Sequence, residues 1–254
     1  MSFEHVNLVI VNTRVANLAS VDFAFRRLGI TPTISADPAV IKAASHVVLP
    51  GVGTAGAAMR SLESLGLVPL LQALTQPVLG ICLGMQMLTE RSAEVGKGSL
   101  IAAQTAEITA AAEAESAAAI AKGSAASATS DGQVLTSTPT SLSYVNCIGV
   151  IPGSIERMQA AANMPLPHMG WNETSTVNEQ GEQHPIFKGL EQPWFYYVHS
   201  FAAPIGASTI ATCEYSMPFS AAIAHNNFIG VQFHPERSGV DGARVLQNFL
   251  EFSC

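Results

Sequence analysis

Cys82, His234 and Glu236 are the residues of this 254-residue chain best suited to covalent chemistry. Cys82 stands in Gly80-Ile81-Cys82-Leu83-Gly84-Met85-Gln86, directly after the apolar run Pro77 to Gly80. Good helix formers follow it. The stretch reads as strand, sharp turn and helix, with the thiol at the corner. This is the arrangement of a nucleophile elbow, with sulfur in place of oxygen. Gly80 and Gly84 flank the corner, where two backbones must come close. A helix N-terminus offers free N–H groups and a positive dipole end, and both favour a thiolate. Taken alone, the stretch also fits a buried structural cysteine beside a packing glycine.

A thiol nucleophile needs a base. Of the seven histidines, His234 ends an apolar run, Phe228 to Phe233, much as Cys82 does. Glu236 follows two residues later. In an extended segment residues i and i+2 face the same side, so the carboxylate can hold the imidazole. That gives a nucleophile, a base and an orienting acid. The oxyanion formed on attack needs donors. The Leu83 N–H at the helix start is one. Gly51-Val52-Gly53 can reorient a peptide and supply a second from Val52. No Gly-Lys-Ser/Thr follows those glycines, which excludes a phosphate loop. The histidines lack metal-ligand spacing, and no metal or cofactor enters the reading.

The elements that must hold these residues are legible as periodic runs. Leu8 to Val11, Val47 to Leu49 and Val78 to Ile81 suit buried parallel strands. Helical spacing recurs between them, at Leu18, Val21, Phe25 and Leu28, and again over Gly56 to Leu65. Alternating strands and helices predict a doubly wound sheet with its site at the carboxyl ends of the strands. From about residue 97 to 146 the composition turns to Ala, Ser and Thr. This predicts a surface insertion without chemistry of its own, helical over Thr105 to Lys122. Order is expected to resume at Cys147 to Ile151; Ile155 to Met158, Phe195 to Phe201, Ile210 to Cys213 and Ala221 to Ala224 read as strands, and Leu166 to Asn172 as loop. A last helix spans about Gly242 to Phe252.

The net charge is −7 and basic residues are few and unclustered, which excludes a nucleic-acid footprint. No apolar run reaches the roughly 18 residues of a membrane span. No signal peptide is read at the start. The four cysteines form no CxxC pair and no disulfide framework, so a reducing cytoplasm is expected.

The motifs have a further order. Pro50-Gly51-Val52-Gly53, Gly80 to Gln86, Pro167-His168-Met169-Gly170-Trp171-Asn172, Tyr197-Val198-His199-Ser200 and Val231 to Gly239 occur as in class I (triad) glutamine amidotransferases. In wording the chain resembles the glutaminase subunits of imidazole glycerol phosphate synthases, over about residues 7–95 and 147–252. The resemblance implies a single amidotransferase domain over 1–254. Its fold is α/β and flavodoxin-like: an open, mostly parallel sheet flanked by helices, with added antiparallel strands. It implies that Cys82 attacks L-glutamine, that His234 moves the protons and that Glu236 orients it. Gly51, Gly53, Gln86, Glu94 and Ser200 match substrate-holding positions, and the Gly51-Val52 peptide matches an oxyanion element. Ammonia is expected to pass to a separate barrel-shaped cyclase subunit in a heterodimer. That subunit makes imidazole glycerol phosphate and an aminoimidazole carboxamide ribotide in L-histidine biosynthesis. Met169, Trp171, Asn172, Tyr196 and His199 match the face toward that partner. The chain departs from the family in Arg14, where Gly is frequent, and in Phe201, where Tyr is. Rival readings are an amidotransferase for another synthase, an idle scaffold and a stand-alone cysteine hydrolase.

Overall fold

The computed structural model describes residues 3, 5–14, 18–94, 144–177 and 180–253. The apolar runs form its central sheet. Leu8–Val11 (β1), His46–Gly51 (β3), Val78–Cys82 (β4) and Phe228–Val231 (β13) are buried at every residue. With Thr33–Ser35 (β2) they pair in parallel in the order β2-β1-β3-β4-β13. This is the strand order of a flavodoxin-like doubly wound sheet. Met217–His225 (β12) and Thr209–Tyr215 (β11) extend it antiparallel beyond β13.

Strand alternation divides the core in two. Leu8 and Ile10 of β1 face one cluster, which also takes Val21 and Phe25 of α1 (Leu18–Arg27). Val245 and Phe249 of the last helix, α6 (Gly239–Glu251), join them. Val9 and Val11 face the other cluster. There they meet α2 (Pro38–Lys42), α3 (Ala55–Ser64), α4 (Val68–Gln72) and α5 (Leu83–Leu88). A period of two in the strands thus supplies both faces of a sheet covered by helices.

Two smaller sheets adjoin this body. One joins Arg91–Ser92 (β5), Val145–Asn146 (β6), Ser154–Arg157 (β7) and Phe201–Ala202 (β10), in the order β10-β7-β5-β6. The other pairs His168–Glu173 (β8) with Trp194–His199 (β9). One expectation needs correction here. The stretch Leu166 to Asn172, read as loop, is mostly strand, because its residues alternate inward and outward opposite an aromatic partner strand. Cys147 to Ile151, where order is expected to resume, is an ordered loop. Its N–H groups cap the end of α5, with Ile148 donating to Met87 at 2.8 Å and Ile151 to Leu88 at 2.9 Å. Those carbonyls have no acceptor role left within the helix and need donors from outside. Of the expected insertion, β6 belongs to the small sheet. Its remainder, with the helix expected over Thr105 to Lys122, lies outside the described residues. No helix among the described residues is long and apolar enough to cross a membrane.

Helix α5 is buried along its whole length and sits unusually close to the sheet. A Cβ on Gly84 would collide with the Leu49 carbonyl oxygen, and one on Gly80 would come within 2.7 Å of the Gly84 backbone. One on Gly230 of β13 would lie 2.6 Å from Met85. Only glycine leaves room for this seat. Gly84→Ala is expected to cost about 3 kcal/mol of stability, because backbone rather than a side-chain tip must yield. Urea denaturation checks this, and coincident curves for variant and wild type would contradict the close seat.

Candidate active site

Strands β3, β4 and β13 lie side by side, and their carboxyl ends bring three loops together. Gly51 is in register with Cys82. Cys82 takes φ 53° and ψ −110° as the chain turns from β4 into α5. A residue with a β-carbon is strained in that region, as expected of a nucleophile elbow. The thiol is nearly covered. Gln232 Nε2 donates to its sulfur at 3.7 Å, and the Val198 carbonyl lies 4.0 Å away.

His234 follows β13, and Pro235–Arg237 forms a single 3-10 turn. The expected extended geometry is therefore replaced. The turn, with Pro235 fixing its first φ, brings the two side chains together by a tighter route. Nδ1 of His234 lies 2.8 Å from Glu236 Oε1. Nε2 is buried and closes no hydrogen bond. Burial works against charge on this ring, but Cys82 and then Glu236 outweigh it and raise the imidazole's proton affinity well above the usual value. The ring is cationic at neutral pH.

The backbone of His234 is tied to β9. Its N–H donates to the Tyr196 carbonyl at 2.9 Å. The Ser238 hydroxyl donates to the His234 carbonyl at 2.7 Å and accepts from the Tyr196 N–H at 3.0 Å. Sequence reasoning missed Ser238 and Gln232. Both lie inside the quoted motifs, but only the fold gives them partners.

These groups open into a cavity of about 300 Å³, a size suited to a small molecule. Gly51, Val52, Gly53, Leu83, Gln86, Glu94 and Ser200 line it with the three residues above. Gln86 Nε2 donates to the Phe201 carbonyl at 3.2 Å and to Gln232 Oε1 at 3.1 Å, while its Oε1 is buried without a partner. The bond to Phe201 uses the backbone, so it does not depend on the tyrosine hydroxyl that Phe201 lacks. Burial pushes the Glu94 carboxyl up to about 7, opposed by the Ala55 N–H.

The glutamine amidotransferase class-I family model matches residues 12–252. The imidazole glycerol phosphate synthase subunit HisH of Colwellia psychrerythraea is 45% identical, over 96% of this chain and 92% of its own length. The HisH proteins of Shewanella oneidensis and Vibrio cholerae are each 44% identical, over 98% and 96% of this chain and 97% and 98% of their own. The chain belongs to the class I glutamine amidotransferases. A crystal structure of a glutamine amidotransferase shares the fold, with a TM-score of 0.59 at 14% identity over 96% of this chain and 97% of that one.

In this amidotransferase the β8–β9 ribbon separates the five residues expected to face a partner. Met169 and Trp171 point outward and are 62% and 52% exposed. Tyr196 stands opposite Trp171, on the same side. Asn172 and His199 occupy the other face. Asn172 Nδ2 donates to the Glu214 carbonyl at 2.9 Å. His199 is only 6% exposed, lines the cavity, and meets His168 at 3.2 Å. Burial lowers His199 to about 3 and His168 to about 4, so both rings are neutral at pH 7. The cause is the period of two: β8 turns even-numbered residues inward and β9 odd-numbered ones. Arg14 is exposed with φ 61°, the left-handed region where glycine is at ease. A larger cleft of about 640 Å³ is lined by Glu173, Glu191 and Glu214 with Cys213, whose thiol burial pushes up to about 11.

The geometry makes a pH prediction. His234 is expected to keep its ring proton through pH 8 in the wild type. In Cys82→Ala the largest raising influence is gone and burial pulls the other way, so the proton leaves at lower pH. Ring-nitrogen NMR titration checks this. An unchanged titration in the variant would show that the sulfur and imidazole are not coupled.

Proposed function

We propose that this amidotransferase is the glutaminase subunit of an imidazole glycerol phosphate synthase. It hydrolyses L-glutamine and delivers the ammonia to a cyclase subunit for L-histidine biosynthesis, in the cytoplasm. The observation that carries the reading is the elbow sulfur and the Glu236-bonded imidazole of His234 lining one small cavity, in a chain that matches HisH proteins over nearly their full length. The whole chain is read as one domain, with an insertion that takes no part in the chemistry.

The Cys82 thiolate attacks the side-chain carboxamide carbon of glutamine. The carbonyl electron pair moves to oxygen, where the Leu83 N–H and the Val52 N–H receive it. His234 gives its proton to the nitrogen, the carbon–nitrogen bond breaks, and ammonia leaves a glutamyl thioester behind. His234, now neutral and held by Glu236, takes a proton from water, which attacks the thioester and releases glutamate. Glu94 receives the substrate's ammonium group. Gln86 and Ser200 hold its polar end.

Ammonia is nucleophilic only when neutral, and in water near pH 7 most of it would be protonated. A dry route into a docked synthase avoids that loss. Met169, Trp171 and Tyr196 form an apolar patch beside the cavity, of the kind that marks a docking site. The proposal puts the barrel-shaped cyclase there as the second member of a heterodimer. The intact triad disfavours an idle scaffold. The subunit names of the relatives disfavour a stand-alone hydrolase.

With the cyclase and its ribotide substrate, Cys82→Ala is expected to lower glutamine-driven product formation by about three orders of magnitude or more. Synthesis from ammonium salt is expected to survive. Survival of both reactions would rule out a nucleophilic role for Cys82. Glu94 adds a pH dependence. Its carboxyl is neutral below about 7 in the empty cavity, so its pull on an ammonium fades as pH falls. KM for glutamine is expected to rise from pH 8 to pH 6 in the wild type. In Glu94→Gln it should be high throughout and flat. A wild-type KM profile in the variant would remove Glu94 from the substrate site.

A further inference from the structure

Gln232 is fully buried beside the nucleophile, and the chemistry above gives it no part. One backbone carbonyl settles how it must lie. Phe201 O can only accept, so Gln86 turns its Nε2 toward it at 3.2 Å. The same Nε2 also faces the Gln232 carboxamide at 3.1 Å, where only Oε1 can accept. The Nε2 of Gln232 is then left to face Cys82, 3.7 Å from the sulfur. Turning Gln232 over would set two N–H₂ groups against each other and put a carbonyl oxygen on the sulfur. The backbone is fixed too, since the Gln232 N–H donates to the Ala221 carbonyl at 2.8 Å. At the other end, Gln86 Oε1 is buried in the cavity wall with no donor from the protein.

We infer that Gln232 is a catalytic residue whose carboxamide donates to the Cys82 sulfur, in an orientation that Gln86 imposes. The inference rests on Cys82 being the nucleophile. A donor on sulfur stabilises thiolate over thiol. When the sulfur attacks, its electron pair enters the new carbon–sulfur bond and the donor's hold weakens. When water cleaves the thioester, that pair returns to sulfur and the donor stabilises the leaving thiolate. A substrate group that donates to Gln86 Oε1 completes a continuous chain from ligand to nucleophile. Hydrogen bonds in such chains polarise one another.

The test uses the full chain with its cyclase and two substitutions. Gln232→Glu keeps the volume and an acceptor for Gln86, but as a carboxylate it donates nothing. Gln232→Met keeps the shape without polar atoms. The titratable and charged groups around the sulfur are His234 with Glu236, His199, Glu94 and Arg237; they are the same in wild type and Gln232→Met, whereas Gln232→Glu adds a carboxylate, so Gln232→Met isolates the loss of the donor. The rate of Cys82 alkylation by iodoacetamide is followed against pH, and glutaminase kcat and KM are measured alongside. In both variants the alkylation limb should move up by about one pH unit. Loss of a charge-assisted hydrogen bond should lower kcat about 10- to 100-fold, with KM changing much less. A role in packing alone would leave the limb of Gln232→Met in place. A wild-type limb and wild-type kcat in both variants overturn the inference. Failure of the underlying reading looks different: complete alkylation of wild-type Cys82 would then leave glutaminase activity intact.

Discussion

The structure depends on how closely helix α5 lies on the sheet. Four residues without β-carbons, Gly51, Gly80, Gly84 and Gly230, line that contact. The seat has a geometric consequence at Cys82. A helix that starts directly over the end of its own strand cannot be reached through ordinary φ, and Cys82 takes φ 53°. Strain of this kind costs on the order of 1–3 kcal/mol and persists only where surrounding contacts enforce it. Here the enforcing contacts are the buried faces of Leu83, Met85, Met87 and Leu88. The sulfur is thereby fixed at the mouth of β4, beside the ends of β3 and β13. Neither neighbouring loop would otherwise have a common target.

The β8–β9 ribbon is the second fixed element, and its two faces do different things. The inner face carries Tyr197 and His199, which pack with His168 and Phe219 into a neutral aromatic layer behind the cavity. The outer face presents Met169 and Trp171. Between the faces, the backbone of Tyr196 holds the His234 peptide through two hydrogen bonds, one of them by way of Ser238. A contact pressed on Trp171 therefore bears on the strand that positions the imidazole. Coupling between a docked partner and the base would need no longer path.

The sequence made the central strands legible because each is short, apolar throughout and followed by helical spacing. Cys82, His234 and Glu236 were legible for a related reason: Cys82 terminates such a strand, and the other two lie three and five residues past the end of another. What it could not give was facing. Asn172 shares its motif with Met169 and Trp171, and His199 lies three residues from Tyr196, yet one residue of offset along a strand reverses the side. The motif wording carries no record of that offset until the ribbon's register is known. The 3-10 turn at Pro235 was hidden likewise, since an i, i+2 pairing suits an extended segment as well as a tight turn. Gln232 escaped notice because its meaning depends on a residue 146 positions away.

Buried polar atoms without partners are uncommon in folded proteins. Among the described residues, Gln86 Oε1, His234 Nε2 and Glu236 Oε2 are three of them, and all belong to the same cavity. Each costs about 1–3 kcal/mol when left unmade. Packing alone would favour filling this space with apolar groups. Instead it keeps one acceptor on Gln86, one nitrogen on the base and one oxygen on the orienting acid, held by a helix and a strand that cannot easily relax. Thr13, Asp22 and Ser216 also carry unpartnered atoms, for which the fold offers no reason. The cavity trio has one. A ligand that donates to Gln86 and places its reacting carbon at the sulfur relieves the first of these deficits on binding. The second is relieved as the reaction proceeds, when the imidazole meets a nitrogen or a water. Interactions that improve along the reaction path, and not before it, are those that lower its barrier.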